Sequence, residues 1–363
     1  MNELANIIDY LEWRGDIPFS ADIFNEVDGL ILSQFCYVLL DGIVPGRGIT
    51  KRISLREAYR RYDPLSVPVK GRIATFEQDN ILFRKLAEST RFGNTMLSGY
   101  VNFTDAEEEI QFSALSCFLA DGSVFAAFRG TDGTVVGWKE DFNLSYMQQT
   151  SGQLNAVNYL NENFTAFSQT IRIGGHSKGG NLAVYASAYC NNSIREKITN
   201  IYSYDGPGFR REIVESPQYR AILPRVMSFV PESSIVGMLL ASDMEQRIVK
   251  SSAMGISQHI AYTWELKRNR FDIADKLTRS GNVINKTISG WLDEFSDDER
   301  QIFVDTLFGI LEAPDKPTLR EISSPSSYAA IIRAMRSLTP EQQKVMARRE
   351  EDSGQRQEGA LFG

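Results

Sequence analysis

Apolar residues recur at helical spacing twice near the start of the chain, in ELANIIDYLEW (Glu3 to Trp13) and GLILSQFCYVLL (Gly29 to Leu40). The part up to about Pro68 therefore reads as helices packed on a core. A further helical stretch, Phe76 to Phe92, leads into the β-rich run MLSGYVNFTD. In EIQFSALSCFLADGSVFAAFRGT two β-rich runs flank Asp121-Gly122, a dipeptide that favours the tight turn of a hairpin. Beyond it the period changes again. Residues Gly152 to Thr170 are helical in pattern, TIRIG is a strand, an Ala-rich helix follows, ITNIYSYD is a strand, Pro217 to Ile222 lies in a helix, and RVMSFV is a strand that Pro231 ends. Strands alternating with helices predict an α/β fold with a mainly parallel sheet covered on both faces. From Phe271 to about Leu338 the pattern is mostly helical, with apolar Trp291, Phe295, Ile302, Phe303, Leu307 and Leu311, and Ser296 with Glu299 forms a capping-box signature. The domain expectation is a core over 1–270, a helical extension over 271–340 and a polar, charge-mixed tail over 341–363 that cannot form a packed core.

The chain of 363 residues, 42% apolar and 23% charged, has the composition of a soluble globular protein. Its net charge of −7 argues against nucleic acid as a partner and favours a soluble, roughly neutral substrate. Cys36, Cys117 and Cys190 are odd in number, widely spaced and set among apolar residues, so they read as buried thiols in a reducing compartment. The N-terminus lacks the basic start and apolar run of a secretion signal, and no run has the length of a membrane span. A cytoplasmic location without stable membrane insertion is the expectation.

Candidate chemistry concentrates in TIRIGGHSKGGNLAVYASAYC, where a β-branched run enters Gly-x-Ser-x-Gly and opens onto a helix. In that setting Ser177 is a candidate nucleophile, exposed on a tight strand-to-helix turn that Gly175 and Gly179 permit. The same residues without chemistry would be a glycine-rich turn. A serine hydroxyl needs a base and the base an orienting acid, and the chain has only two histidines, His176 and His259. His176 lies inside the turn and reads as a packing or supporting residue. His259, downstream of the core strands, falls where the base follows the serine in chain order. For the acid, Asp205 at the end of the strand after the nucleophile helix leads, Glu232 after the next strand is the rival, and Asp243 is third. The amide of Lys178 and that of Thr131, in the loop FRGTDG, are the candidate oxyanion donors, with Gly130 allowing close backbone approach. Arg129 and Asp141 are a candidate loop-anchoring ion pair. No ligand spacing for a metal and no phosphate-cradling loop is present, so no metal or cofactor is expected.

Taken in order, AAFRGTDG, WKEDF, GGHSKGGNLAVYA, YDGPGF, SSIVGMLL and QHIAYTW, with the earlier NEVDGLILSQFCYV, resemble the Mbeg-like branch of the α/β-hydrolases, a relative of the class 3 lipases. The resemblance covers about Met1 to Leu266. It implies an α/β-hydrolase fold, Ser177 as nucleophile, His259 as base and Thr131 in the oxyanion hole, and it implies no particular substrate. One position departs from the pattern. Class 3 lipases carry their acid near the position of Ser234, where this chain has Ser233-Ser234, which throws the role onto Asp205 or Glu232. The functional expectation is a serine esterase or lipase-like hydrolase acting on a small-molecule or lipid ester. An acyltransferase or thioesterase would use the same groups, and a non-catalytic binding protein would keep only the fold. A cap or lid formed by the C-terminal helices, over an apolar pocket lined by Ile235 to Leu240, Met254 and Ile256, is a further expectation.

Overall fold

The computed structural model describes residues 5–67, 73–105, 110–131, 143–144, 147, 149–167, 169–278, 296–312 and 333–343. Eight strands pair side by side in chain order: β1 (Ile53–Ser54), β2 (Met96–Asp105), β3 (Ile110–Phe118), β4 (Val124–Phe128), β5 (Ile171–His176), β6 (Ile198–Tyr204), β7 (Val226–Pro231) and β8 (Gln246–Val249). Pairings from β4 to β8 are parallel, and those from β1 to β4 are antiparallel. The Asp121-Gly122 hairpin accounts for the last antiparallel step: Gly122 has φ +83°, and Leu119 accepts its amide across the turn. β8 has no apolar run to announce it. It is a short strand carrying Gln246 and Arg247, and the segment around Ile273 meets its far side at Ile248 and Val249.

The helices of the first part are α1 (Ile7–Arg14), α2 (Glu26–Phe35), α3 (Leu55–Arg61) and α4 (Phe76–Glu88). Asn6 and Asn25 start α1 and α2 through capping boxes closed by Asp9 and Asp28. The parallel half contributes α5 (Ser151–Phe164), α6 (Lys178–Tyr189), α7 (Asn192–Arg195), α8 (Arg211–Val214) and α9 (Pro217–Ile222), and α10 (Asp297–Glu312) lies further on. The strand order advances in one direction throughout, and crossovers between parallel strands are right-handed, so α5, α6 and α9 all fall on one face of the sheet. There they cover Val124, Ala126, Phe128, Ile173 and Ile201. The alternate residues, Phe125, Ala127, Tyr202, Tyr204 and Phe229, point to the opposite face.

That opposite face is covered by α1, α2 and α4 together with Ala261, Tyr262, Trp264, Leu266 and Phe271. α2 crosses β4, β5 and β6, close enough that a Cβ on Gly29 would meet the Tyr204 hydroxyl at 2.3 Å, and this hydroxyl donates to the Glu26 carbonyl at 2.6 Å. Arg91 closes the loop before α2 with a buried fork onto Asp28, at 2.8 and 2.5 Å, while also donating to the carbonyls of Ile17, Asp22 and Ile23. The layout is that of the α/β-hydrolase fold. The sequence reading placed helix from Phe271 onward, but Arg270–Phe271 is the strand β10, paired with β9 (Leu266–Lys267), and Ile273 bridges Val249. Ser296 and Glu299 do form the capping box that starts α10. Trp291 and Phe295, and the tail beyond residue 343, lie outside the described residues. All three cysteines are free and buried. Among the described residues no helix is long and apolar enough to cross a membrane.

Candidate active site

β5 ends at His176 and α6 begins at Lys178, so Ser177 makes the whole turn alone, at φ 59° and ψ −133°. Such a conformation is uncomfortable for any residue with a Cβ and persists only where the surroundings enforce it. They do so from both sides. The Ser177 amide donates to the Tyr204 carbonyl at 2.9 Å, its carbonyl accepts from Gly180 at 2.8 Å, and a Cβ on Gly179 would stand 2.1 Å from the Phe128 carbonyl oxygen. The serine hydroxyl forms no bond to the helix it caps, which leaves it available for other partners.

One residue beyond Tyr204, Asp205 turns the end of β6 with φ 51° and is 1% exposed. Its Oδ2 lies 2.6 Å from His259 Nδ1. A carboxylate can only accept there, so Nδ1 carries the proton and Nε2 keeps its lone pair. The other oxygen, Oδ1, accepts from Ser234 Oγ at 2.5 Å and from the Gly237 amide at 3.1 Å. Asp205, at the end of β6, thus meets His259 with one oxygen, and Ser234 is a hydrogen-bond donor to the other. The carboxylate on His259 is that of Asp205, not Glu232, whose backbone pairs with Val249 and Thr278. Asp243 is exposed.

The loop leaving β4 runs beside the turn, where a Cβ on Gly130 would meet the His176 carbonyl oxygen at 2.6 Å and the Ser177 Cβ at 3.0 Å. Gly130 therefore gives the close backbone approach the sequence asked of it, and Thr131 follows it in the chain. Asp141, the proposed partner of buried Arg129, and WKEDF lie outside the described residues, as does the side chain of Ile256. Lys178 contributes more than an amide: its side chain is 2% exposed, and Nζ donates to both the backbone and the side-chain oxygen of Gln111 at 2.8 Å. Two acceptors offset the desolvation of the ammonium and pin the start of α6 to β3.

Two residues that sequence reasoning left without chemistry also converge here. Tyr37, just past α2, accepts the Gly130 amide on its hydroxyl at 3.1 Å. His176 lies with its ring 4.6 Å from that of His259, and its Nε2 is 2.8 Å from the His259 carbonyl oxygen. Burial pushes the His176 imidazole down to about 3, so it stays neutral. No periodicity or spacing could have found Tyr37, because its partners are 93 and 139 positions away.

A family model, Mbeg1-like, matches residues 86–309. No curated protein matches the chain in sequence. Among solved structures, the Rhizomucor miehei lipase in its propeptide complex is similar at 13% identity with a TM-score of 0.34, over 52% of this chain, which spans 65% of that lipase. The M37 lipase is similar at 12% identity and a TM-score of 0.33, over 72% of this chain and 78% of its own. The extracellular lipase LipA of Serratia marcescens is similar at 13% identity and a TM-score of 0.28, over 57% and 38%. These structural likenesses are distant. The family model, by contrast, spans more than half of the 363 residues and includes the serine turn, Asp205 and His259, and the chain belongs to the Mbeg1-like family.

Proposed function

We propose that the protein is a serine-dependent carboxylic ester hydrolase of the esterase or lipase kind, with Ser177 as nucleophile, His259 as general base and Asp205 as the acid that orients it. The observation that carries this reading is the bond between His259 and Asp205, since it fixes the imidazole as the tautomer with a free Nε2 in a loop tied to His176, the residue before Ser177. His259 Nε2 takes the hydroxyl proton as Oγ attacks the ester carbonyl, and charge collects on the carbonyl oxygen. The amides of Lys178 and Thr131 receive that charge, aided by the positive end of α6. The imidazolium then protonates the departing alcohol, and water, activated by the same nitrogen, releases the acid from Ser177. Where an alcohol or thiol replaces water, the same acyl-enzyme serves transfer.

Half-buried Ile235, Val236, Met238 and Leu239 follow the Asp205 donor Ser234, and exposed Met254 precedes His259, which supports an apolar acyl group as part of the substrate. The test is hydrolysis of p-nitrophenyl esters of increasing acyl length, with fluorophosphonate labelling alongside. Activity and labelling should vanish in Ser177→Ala and turnover in His259→Ala, both variants remaining folded. Folded wild type that neither hydrolyses any ester nor takes the label would leave a binding protein as the better reading.

A further inference from the structure

We propose that Tyr37 and His176 form a positioning bridge that ties the loop of Gly130 and Thr131 to the loop of His259, holding oxyanion donors and base at one spacing across Ser177. The inference rests on the reading of Ser177 as nucleophile, but the bridge is built from contacts of its own. Gly130 donates its amide to the Tyr37 oxygen. The hydroxyl proton of Tyr37 then faces two acceptors of one residue, the Nδ1 and the carbonyl oxygen of His176, each at 3.4 Å. On the far side of that imidazole, Nε2 meets the His259 carbonyl oxygen at 2.8 Å. A carbonyl cannot donate, so the proton sits on His176 Nε2 and Nδ1 is left as acceptor. Every link in the series from Gly130 to His259 has one donor and one acceptor.

Packing alone does not explain an imidazole at this place. His176 is 6% exposed, with Tyr37, His259 and Trp264 around it. The titratable and charged groups facing it are Tyr37, His259 and, through the latter, Asp205. A phenyl ring would fill similar space without the penalty of burying two ring nitrogens. What the imidazole adds is its pair of hydrogen bonds, one to Tyr37, which holds the Gly130 amide, and one to the loop of His259. Neither residue touches a substrate carbonyl at Ser177 by this scheme; both act through the groups they hold.

The chain has two histidines, so a protein labelled with 15N in its imidazoles gives two resolvable rings. One ring is expected to remain neutral with its proton on Nε2 throughout the range in which His259 functions, and Tyr37→Phe should shift its Nδ1 signal. In turnover, Tyr37→Phe and His176→Phe should each lower kcat about 10- to 100-fold with KM within about twofold, the size of effect that misplacing a catalytic group produces. His176→Gln, which can still donate toward the His259 carbonyl, should recover most of the loss. The two losses should not multiply in the double variant, since both cut one chain of contacts. A proton on Nδ1 of His176, or full kcat in folded Tyr37→Phe and His176→Phe, would overturn the bridge. Serine-independent turnover by the wild type would sink the proposed function instead, and the ring spectra would still decide whether the bridge exists.

Discussion

At the turn of Ser177 the backbone of one residue is held in a conformation that costs energy, and the neighbours that enforce it leave little room. Gly179 faces the Phe128 carbonyl, a backbone atom that cannot swing aside, so Gly179→Ala should destabilise the fold by about 3 kcal/mol, read by urea denaturation. Asp205 should separate cleanly from its rival. Ser234 and Gly237 donate to the other oxygen, so Asp205→Asn turns its NH2 toward His259 Nδ1, imposes the other tautomer and should lower kcat by about a thousandfold or more, whereas Glu232→Gln should stay near wild type in the same ester assay. His176 gives a pH signature through stability. Its folded value near 3 lies below the usual imidazole range, so the unfolded chain binds the extra proton between about pH 6.5 and 3. The stabilisation is complete above that window and is lost as the pH falls through it, at up to about 1.4 kcal/mol per pH unit. Urea melts at pH 7 and pH 5 should show the wild type losing about 2 kcal/mol more than His176→Phe. Equal losses in the two proteins would mean that this ring is protonated in the folded state.

Among the elements, α2 carries the most consequence for the site, since its C-terminal end delivers Tyr37. Its position is fixed at three places: Tyr204 against Glu26 and Gly29, Arg91 on Asp28, and Gln34, whose amide donates to Asp79 of α4 at 2.8 Å. Asp79 also accepts from Tyr262 at 2.6 Å, three residues after His259, so the helix that leads to Tyr37 and the loop bearing His259 share one buried carboxylate. Arg91→Met leaves the Asp28 carboxylate buried without its cation and should cost about 3–5 kcal/mol of stability, measurable by chemical denaturation. The elements themselves were largely legible in the sequence. α4, α5, α9 and the strands β2 to β7 follow from period 3.6 and period 2 patterns, because those periods record which side of an element is buried. β1 and β8 were not legible, being too short to show a period, and the stretch read as helix from Phe271 begins as strand because pairing with β9 and Val249 decides it.

For the whole molecule, the one-directional strand order decides how the parts depend on each other. Right-handed crossovers leave one face of the sheet to α5, α6 and α9, and the aromatic rows Phe125, Tyr202, Tyr204 and Phe229 on the other would meet water without the N-terminal helices. Removal of residues 1–61 should therefore give aggregated or molten protein rather than a smaller folded domain, as size-exclusion chromatography and near-ultraviolet circular dichroism would show. The fold class, the serine turn and the choice between two histidines could be read along the chain, because periodicity, glycine placement and the scarcity of histidine are local or compositional facts. That Asp205 rather than Glu232 meets His259, that Ser234 donates to Asp205, and that Tyr37 and His176 stand between Gly130 and the His259 carbonyl emerged with the folded chain. Those contacts link positions that are far apart along the chain, and their geometry exists only once the sheet has brought the strand ends to a common edge.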